Sequence, residues 1–404
     1  MKLPAKDFYI DNRRRLAKKI DGGILVLTAH DSLQAVSDMA MPFRQENNFY
    51  YLTGLNHPRW KMVYNSQRDH TWLVRPHYSQ VELLFDGALA DSEALETSGA
   101  DEIIDETEFE ALLRQLARTH GAVYALKPAP ASQQSFILNP SVGRLHAQLE
   151  RSFANVIDVG QFIAELRAIK QPIEIDMIEQ AIQVTAEAFE AASSRVGQLK
   201  AEYELEAVFT GRFRAKNSSH AYDPIVASGE NALLLHYNAN NQRFGRRQVV
   251  LCDIGAEVGG YAADVTRMLA LKTPTKRQEA VYQALLTAQQ SIIANIEVNM
   301  SVEAYQKMVD QHMHQALQSL GIMTAKWDEV VYRRYFPHAV SHGLGLDVHD
   351  SLAKTRTLKP SMVLTVEPGI YIKEEGIGMR IEDDVLITDK GSRNLSSAIS
   401  TKLS

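Results

Sequence analysis

The chain has a single cysteine, Cys252, in 404 residues. That excludes an internal disulfide and any cysteine-based zinc site. We expect Cys252 to be a small buried apolar residue and not a nucleophile. No segment approaches the ~18–20 consecutive apolar residues that a membrane span needs. The N-terminal stretch MKLPAKDFYIDNRRRLAKKI lacks an apolar core of the length a secretory signal requires. Its basic residues fit the first surface helix of a cytoplasmic protein better than an organelle presequence. An excess of positive charge is missing too: 43 Lys and Arg against 49 Asp and Glu leave a formal charge of −6. This argues against nucleic acid or an anionic membrane as a main partner. Short tandem repeats and low-complexity segments are absent.

What is present predicts two domains, because 404 residues exceed what one hydrophobic core usually serves. With 45% hydrophobic and 23% charged residues, the composition is ordinary for a soluble globular protein. Phe8 to about Ile20 fits an amphipathic helix stopped by Gly22-Gly23, and Ile24 to Thr28 a short strand. The aromatic stretch Asn48 to Gly54 (NFYYLTG) reads as a second strand, and 62–64 with 71–74 as a hairpin. Helical patterns over 105–117 and 141–153 flank a strand at 123–126, so this part predicts an α/β layer arrangement. Gln171-Pro172 separates two helical patterns, because proline lacks the amide hydrogen a helix interior needs. We place the domain join between about Ile157 and Pro172, giving domains over 1–160 and 161–404. In the second, long helices alternate with two pairs of strands, which predicts an α+β domain with an internal two-fold duplication.

The stretch VVLCDIGAEVGGYAAD (249–264) organises that second domain. Val249 to Ile254 reads as a buried strand, Gly259-Gly260 as a turn and Tyr261 to Leu271 as the returning strand. Asp253 and Asp264 then lie in an apolar run, where each must be protonated, paired or bound to a cation. Met362 to Ile372 and Gly376 to Thr388 repeat the device with Glu367 and Glu382. Between the two pairs, FPHAVSHGLGLDVHD (336–350) offers His338, His342 and His349. Gly343 and Gly345 argue that this segment is a loop, not a helical zinc motif. Side chains two apart share a strand face, so Arg380 and Glu382 are expected to point the same way, toward whatever Glu382 binds, with Asp383 opposed and Asp384 back on that face. Asp383 and Asp384 are expected to be partly solvated and partly paired with Arg380 or Lys373. Any one of these acids could be a hydrogen-bonded structural residue. Together, four carboxylates and an imidazole form a hard, oxygen-rich set suited to Mn²⁺, Mg²⁺, Co²⁺ or Zn²⁺. A dinuclear pair of such ions suits hydrolysis of an amide or ester.

Five segments carry a family resemblance: IVASGENALLLHY (225–237), LCDIGAEVGGYAADVTR (251–267), HAVSHGLGLDVHD (338–350), LTVEPGIYI (364–372) and GMRIEDDVLIT (378–388). They resemble the pita-bread metallopeptidase superfamily, which includes methionine aminopeptidase, prolidase and creatinase. PFRQENNFYYLTGLN (42–56) is similar to the N-terminal domain of its aminopeptidase P branch. Where those enzymes commonly carry Trp-x-Gly-x-Arg, this chain has Leu84-Phe85-Asp86-Gly87-Ala88-Leu89.

The resemblance implies a creatinase-like N-terminal α/β domain and a pita-bread catalytic domain. It implies Asp253, Asp264, His342, Glu367 and Glu382 as ligands of two divalent ions, with Asp264 and Glu382 bridging. Manganese is the first expectation, and cobalt or zinc also fit. His236 is implied in substrate binding, and His338 and His349 around the scissile carbonyl and the proline. Arg380 is implied in organising Glu382 and the pocket, and Glu367 in accepting a proton. The implied activity is hydrolysis of the Xaa-Pro bond at the N-terminus of peptides, through a metal-bridging hydroxide, by a homodimer or homotetramer. An Xaa-Pro dipeptidase and a non-catalytic binding protein on the same fold are the alternatives.

Overall fold

A computed structural model describes residues 4–20, 22–128 and 137–403. The chain divides into two compact units, up to residue 166 and from 167 onward. The first begins with α1 (Lys6–Ala17), β1 (Ile24–Thr28), a small hairpin of β2 (Gln34–Val36) and β3 (Met39–Ala40), and α2 (Asn47–Thr53). Next come β4 (Lys61–Asn65), β5 (His70–Arg75), α3 (Gln80–Phe85), α4 (Asp91–Ser98) and β6 (Glu102–Asp105). Then follow α5 (Glu106–Ala117), β7 (Ala122–Ala125), α6 (Ser141–Ser152), β8 (Asn155–Asp158) and α7 (Gly160–Ala168), whose last two residues, Arg167 and Ala168, belong to the second unit. Six strands form one sheet in the order β6-β5-β4-β1-β7-β8, in which only β4 runs against the others. Strand β1 lies inside the sheet and is buried along its whole length. Phe109, Leu113, Leu145 and Leu149 of α5 and α6 cover one face of the sheet, as the α/β reading expected.

One expected strand is a helix. NFYYLTG folds as α2, because Glu46 accepts a 2.6 Å hydrogen bond from the Phe49 amide and Gly54, at φ 71°, closes the far end. The aromatic residues favour strands only in so far as they need a packed surface. Here α1 supplies that surface: Asn12 and Arg13 donate to the carbonyls of Tyr51 and Leu52.

The second unit begins with α8 (Pro172–Ser193), α9 (Glu202–Ala215), β9 (Ser219–His220) and β10 (Ile225–Ser228). Pro172 occupies the first turn of α8, where its missing amide hydrogen does no harm. Four strands follow: β11 (Val249–Ile254), β12 (Ala256–Val258), β13 (Tyr261–Ala262) and β14 (Val265–Ala270). The sequence then repeats two long helices, α10 (Lys276–Ala294) and α11 (Val302–Ser319), and adds α12 (Glu329–Tyr335). Last come β15 (Val363–Val366), β16 (Gly369–Ile372), β17 (Ile377–Arg380), β18 (Asp383–Thr388) and β19 (Gly391–Asn394). Val281, Leu285, Val309 and Met313 of the long helices share a core with Leu251, Met268, Leu364 and Val385 of the strands. Cys252 is free and buried in β11, as expected. Among the described residues no helix is long and apolar enough to cross a membrane.

Neither returning strand is continuous, which corrects the simple hairpins expected over 261–271 and 376–388. β11 pairs with β14 while β12 pairs with β13, so the ladder breaks at Gly255 on one side and at Ala263-Asp264 on the other. In the same way β15 pairs with β18 and β16 with β17, leaving breaks at Glu367-Pro368 and at Ile381-Glu382. A residue in such a break is freed from strict strand alternation. Three of the four singled-out carboxylates, those of Asp264, Glu367 and Glu382, lie in these breaks. The first break is tight: a Cβ on Gly255 would stand 1.7 Å from the Ala263 carbonyl oxygen. Gly255→Ala is therefore expected to lower stability by about 1–3 kcal/mol through overpacking, read as a lower midpoint of thermal unfolding. An unchanged midpoint would show that the break is soft.

Candidate metal centre

The breaks converge on one cavity of about 560 Å³. Asp253, Asp264, His342, Glu367 and Glu382 line it, together with His236, His338, His349 and Arg380. All nine site residues singled out in the sequence are thus brought to one place. Asp264, His342 and Glu382 each offer a ligand atom, and those atoms lie within 4.8 Å of one another. His342 Nε2 stands 3.6 Å from Asp264 Oδ2 and 3.4 Å from Glu367 Oε1.

The donor set fits a divalent cation on its electrostatics. Burial, with Asp253 and Asp384 nearby, pushes the Asp264 carboxyl well above its ordinary range. Burial with Asp264 and Glu367 does the same to Glu382, and burial pushes Glu367 up to about 7. Positive charge placed among these groups relieves the same penalty that raises them. His342 is lowered to about 4 by burial, so it presents a neutral imidazole, the form that ligates metal.

Tyr222 escaped the sequence reading. Its hydroxyl lies 2.6 Å from Oδ1 of both Asp253 and Asp264. One phenolic proton cannot satisfy two anionic acceptors, so the second contact needs a shared proton or a cation. Nothing in sequence spacing flags Tyr222, which is 31 and 42 residues from its partners.

A hydrogen-bonded chain connects the rest. Arg380 donates to Asp253 Oδ2 at 2.5 Å, to the Thr266 hydroxyl at 3.2 Å and to the Tyr371 hydroxyl at 3.0 Å. Thr266 passes the contact on to Glu382 Oε2 at 2.7 Å. Tyr371 donates to His338 Nε2 at 3.0 Å, and His338 Nδ1 faces the Ala339 carbonyl at 2.7 Å. Burial lowers His338 to about 4. Arg380 therefore touches Asp253 directly and reaches Glu382 only through Thr266. Arg380 and Glu382 do face the same cavity, as expected, but from either side of a break, since β17 ends at Arg380 and β18 starts at Asp383.

Asp383 and Asp384 are also corrected. Both are buried, and Asp383 pairs with Arg267 at 2.6 Å, not with Arg380 or Lys373. Asp384 Oδ2 accepts from the Asp264 amide, bracing the first break from the second strand pair. The segment carrying His236 is fixed by buried Glu202, which accepts from Ser228, Asn231, Tyr237 and Gln242.

Residues 176–389 match the model of metallopeptidase family M24, and residues 9–124 match that of the aminopeptidase P N-terminal domain. The chain is similar to the Xaa-Pro aminopeptidase of Haemophilus influenzae, at 30% identity over 98% of this chain and 95% of that protein. It is similar to that of Escherichia coli at 31% identity, over 94% and 92%. Aminopeptidase P from E. coli, solved in a low-pH form and with the inhibitor Pro-Leu, matches with a TM-score of 0.89 at 29% identity, over 99% of this chain and 97% of that one. With a creatinase-type α/β unit joined to a pita-bread unit whose strand breaks gather a metal-binding donor set, the chain belongs to metallopeptidase family M24, in its Xaa-Pro aminopeptidase branch, and is a metalloaminopeptidase.

Proposed function

We propose that the protein hydrolyses the Xaa-Pro bond at the N-terminus of peptides, with two divalent cations, manganese foremost, held by Asp253, Asp264, His342, Glu367 and Glu382. Asp264 and Glu382 are the proposed bridging ligands. The observation that carries the reading is the convergence of these side chains from two broken strand pairs and one loop on a single cavity. When bound, such cations supply Lewis acidity and a water acidic enough to attack a carbonyl near neutral pH. Glu367 accepts the proton of the attacking water. His349, on the cavity wall, donates to the oxygen that becomes negative in the transition state. His338 holds the proline side of the substrate, its ring fixed between Ala339 and Tyr371. His236 and Arg380 complete the substrate pocket, and residues 1–160 form the proposed N-terminal domain. A homodimer or homotetramer is the proposed assembly.

A preorganised donor to a developing oxyanion is typically worth 10²–10³-fold in rate. His349→Ala should therefore lower turnover by about 10²–10³-fold while leaving metal content unchanged; near-normal turnover would remove the assignment. Substrate length tests the rest. Apo-protein reloaded with defined Mn²⁺, Co²⁺ or Zn²⁺ should cleave Arg-Pro-Pro faster than Ala-Pro. The reverse preference would mark a dipeptidase, and no cleavage of either would sink the peptidase reading.

A further inference from the structure

The loop 338–350 carries three of the site histidines, His338, His342 and His349, but has almost no regular structure of its own, so something outside it must fix its shape. Its first half is hung on β15 and the break that follows it: the amides of Thr365 and Glu367 donate to the carbonyls of His342 and Val340, at 3.0 and 2.8 Å. The second half, which carries His349, is held differently. The Asp350 amide donates to the Gly343 carbonyl at 2.8 Å, closing the loop on itself. The Asp350 carboxylate points away into a buried ion cluster. It lies 3.2 Å from Lys170 Nζ and 3.0 Å from Arg167 Nη2, and all three side chains are 5% exposed or less. The same Arg167 nitrogen reaches Asp347 at 2.6 Å, so one guanidinium spans both acids flanking Val348-His349. Lys170 is itself anchored, since Nζ donates to the Arg167 carbonyl at 2.7 Å and its amide to Ser361 at 2.8 Å.

The two loop glycines now have a reason. A Cβ on Gly345 would stand 2.2 Å from the Asp350 carboxylate and 3.1 Å from Lys170, and one on Gly343 would stand 2.4 Å from the Asp350 carbonyl. The run HGLGLDVHD is thus shaped to bring Asp350 against Lys170. His349, its neighbour in the chain, is left on the cavity wall with its ring 4.3 Å from that of His342. A buried ion pair is poor evidence of stability alone, since packed apolar residues often do as well. Its directional geometry makes it well suited to fixing position.

The geometry points to Arg167 and Lys170, acting through Asp347 and Asp350, as positioning residues that hold His349 at the catalytic cavity. The inference rests on the proposed role of His349 in catalysis. Loss of a partner that orients an active-site group typically costs 10–100-fold, and small misplacements have effects of that size.

The test is a double-mutant cycle in the metal-loaded full chain, pairing Lys170→Met with His349→Ala. Lys170→Met should lower kcat by about 10–100-fold with KM and metal content nearly unchanged, and should cost less than about 2-fold more in the His349→Ala background. Equal losses in both backgrounds, or none in the parent, would overturn the inference. The His349→Ala single variant reports separately on the underlying reading: if it keeps normal turnover, that reading fails first. Arg167→Lys provides a second test should Lys170→Met fold poorly, because it keeps the charge yet cannot span Asp347 and Asp350. A readout without turnover is the ring signal of His349 in ¹⁵N-histidine-labelled protein, assigned by its loss in His349→Ala. It should shift or broaden in both clamp variants, and an unmoved signal would count against positioning.

Discussion

Glu382→Gln is expected to abolish catalysis, lowering turnover by more than about 10³-fold, and to leave at most one tightly bound ion per chain. The amide has the shape of the carboxylate and can still accept from the Thr266 hydroxyl, now 2.7 Å from Glu382 Oε2. What it loses is the charge, and its NH₂ group would face the cavity where a cation must sit. The metal-free protein should respond in the opposite direction. Burial together with Asp264 and Glu367 already holds the Glu382 carboxyl far above its ordinary range, so removing the charge takes away repulsion. Metal-free Glu382→Gln should unfold at the same temperature as the metal-free parent or higher, while added Mn²⁺ should raise its midpoint less. Metal analysis and thermal unfolding check both arms. Two tightly held ions in the variant would contradict a bridging role for Glu382.

Arg267→Met is expected to destabilise the second unit by about 3–5 kcal/mol, because it strands a buried anion. At about 2–4 °C per kcal/mol for a unit of this size, the midpoint should fall by roughly 6–20 °C. Arg267 is almost fully buried and bonded on every side. It donates to the Glu382 carbonyl at 2.6 Å, the Thr266 and Ile399 carbonyls at 3.0 Å, and Asp383 at 2.6 Å. Without it, the carboxylate of Asp383 keeps, among the described residues, the side-chain amides of Gln289 and Asn394. Replacing both members of the pair, as Arg267→Met with Asp383→Leu, should recover part of the loss, since it leaves no unpaired charge. A fall of less than about 3 °C in the single variant would mean that water or rearranged neighbours solvate Asp383. The Glu382 carbonyl is one of the groups Arg267 holds, so weaker metal retention should accompany the lower midpoint.

The contents of the cavity were legible in the sequence while its construction was not. Asp253, Asp264, Glu367 and Glu382 stood out because a carboxylate inside an apolar run needs a partner, and that argument uses only local composition. His338, His342 and His349 were legible as a cluster in one short segment between the two strand pairs, and the interruption at Pro172 from proline's missing amide hydrogen. What failed was the expectation of continuous strands across stretches that turned out to be broken. Strand periodicity turned Arg380 and Glu382 toward one site, which the cavity bears out, but it gave no hint of the break between them or of Thr266, which links the two. NFYYLTG was misread because the caps of α2, the Glu46 carboxylate and the left-handed Gly54, outweigh the strand preference of its aromatic residues. Tyr222 and the pairing of Arg267 with Asp383 depend on contacts between distant segments, for which one sequence offers no local signature.

The placement of Cys252 has a practical consequence. It sits in the middle strand of the sheet β10-β11-β14, opposite Val226 on one side and Arg267 on the other. Its sulfhydryl is completely enclosed and next to Asp253. A thiol-directed reagent therefore has one target, reachable only when that sheet parts. Modification rates measured with and without added ions would time the opening of the strand that bears Asp253, with no engineered label.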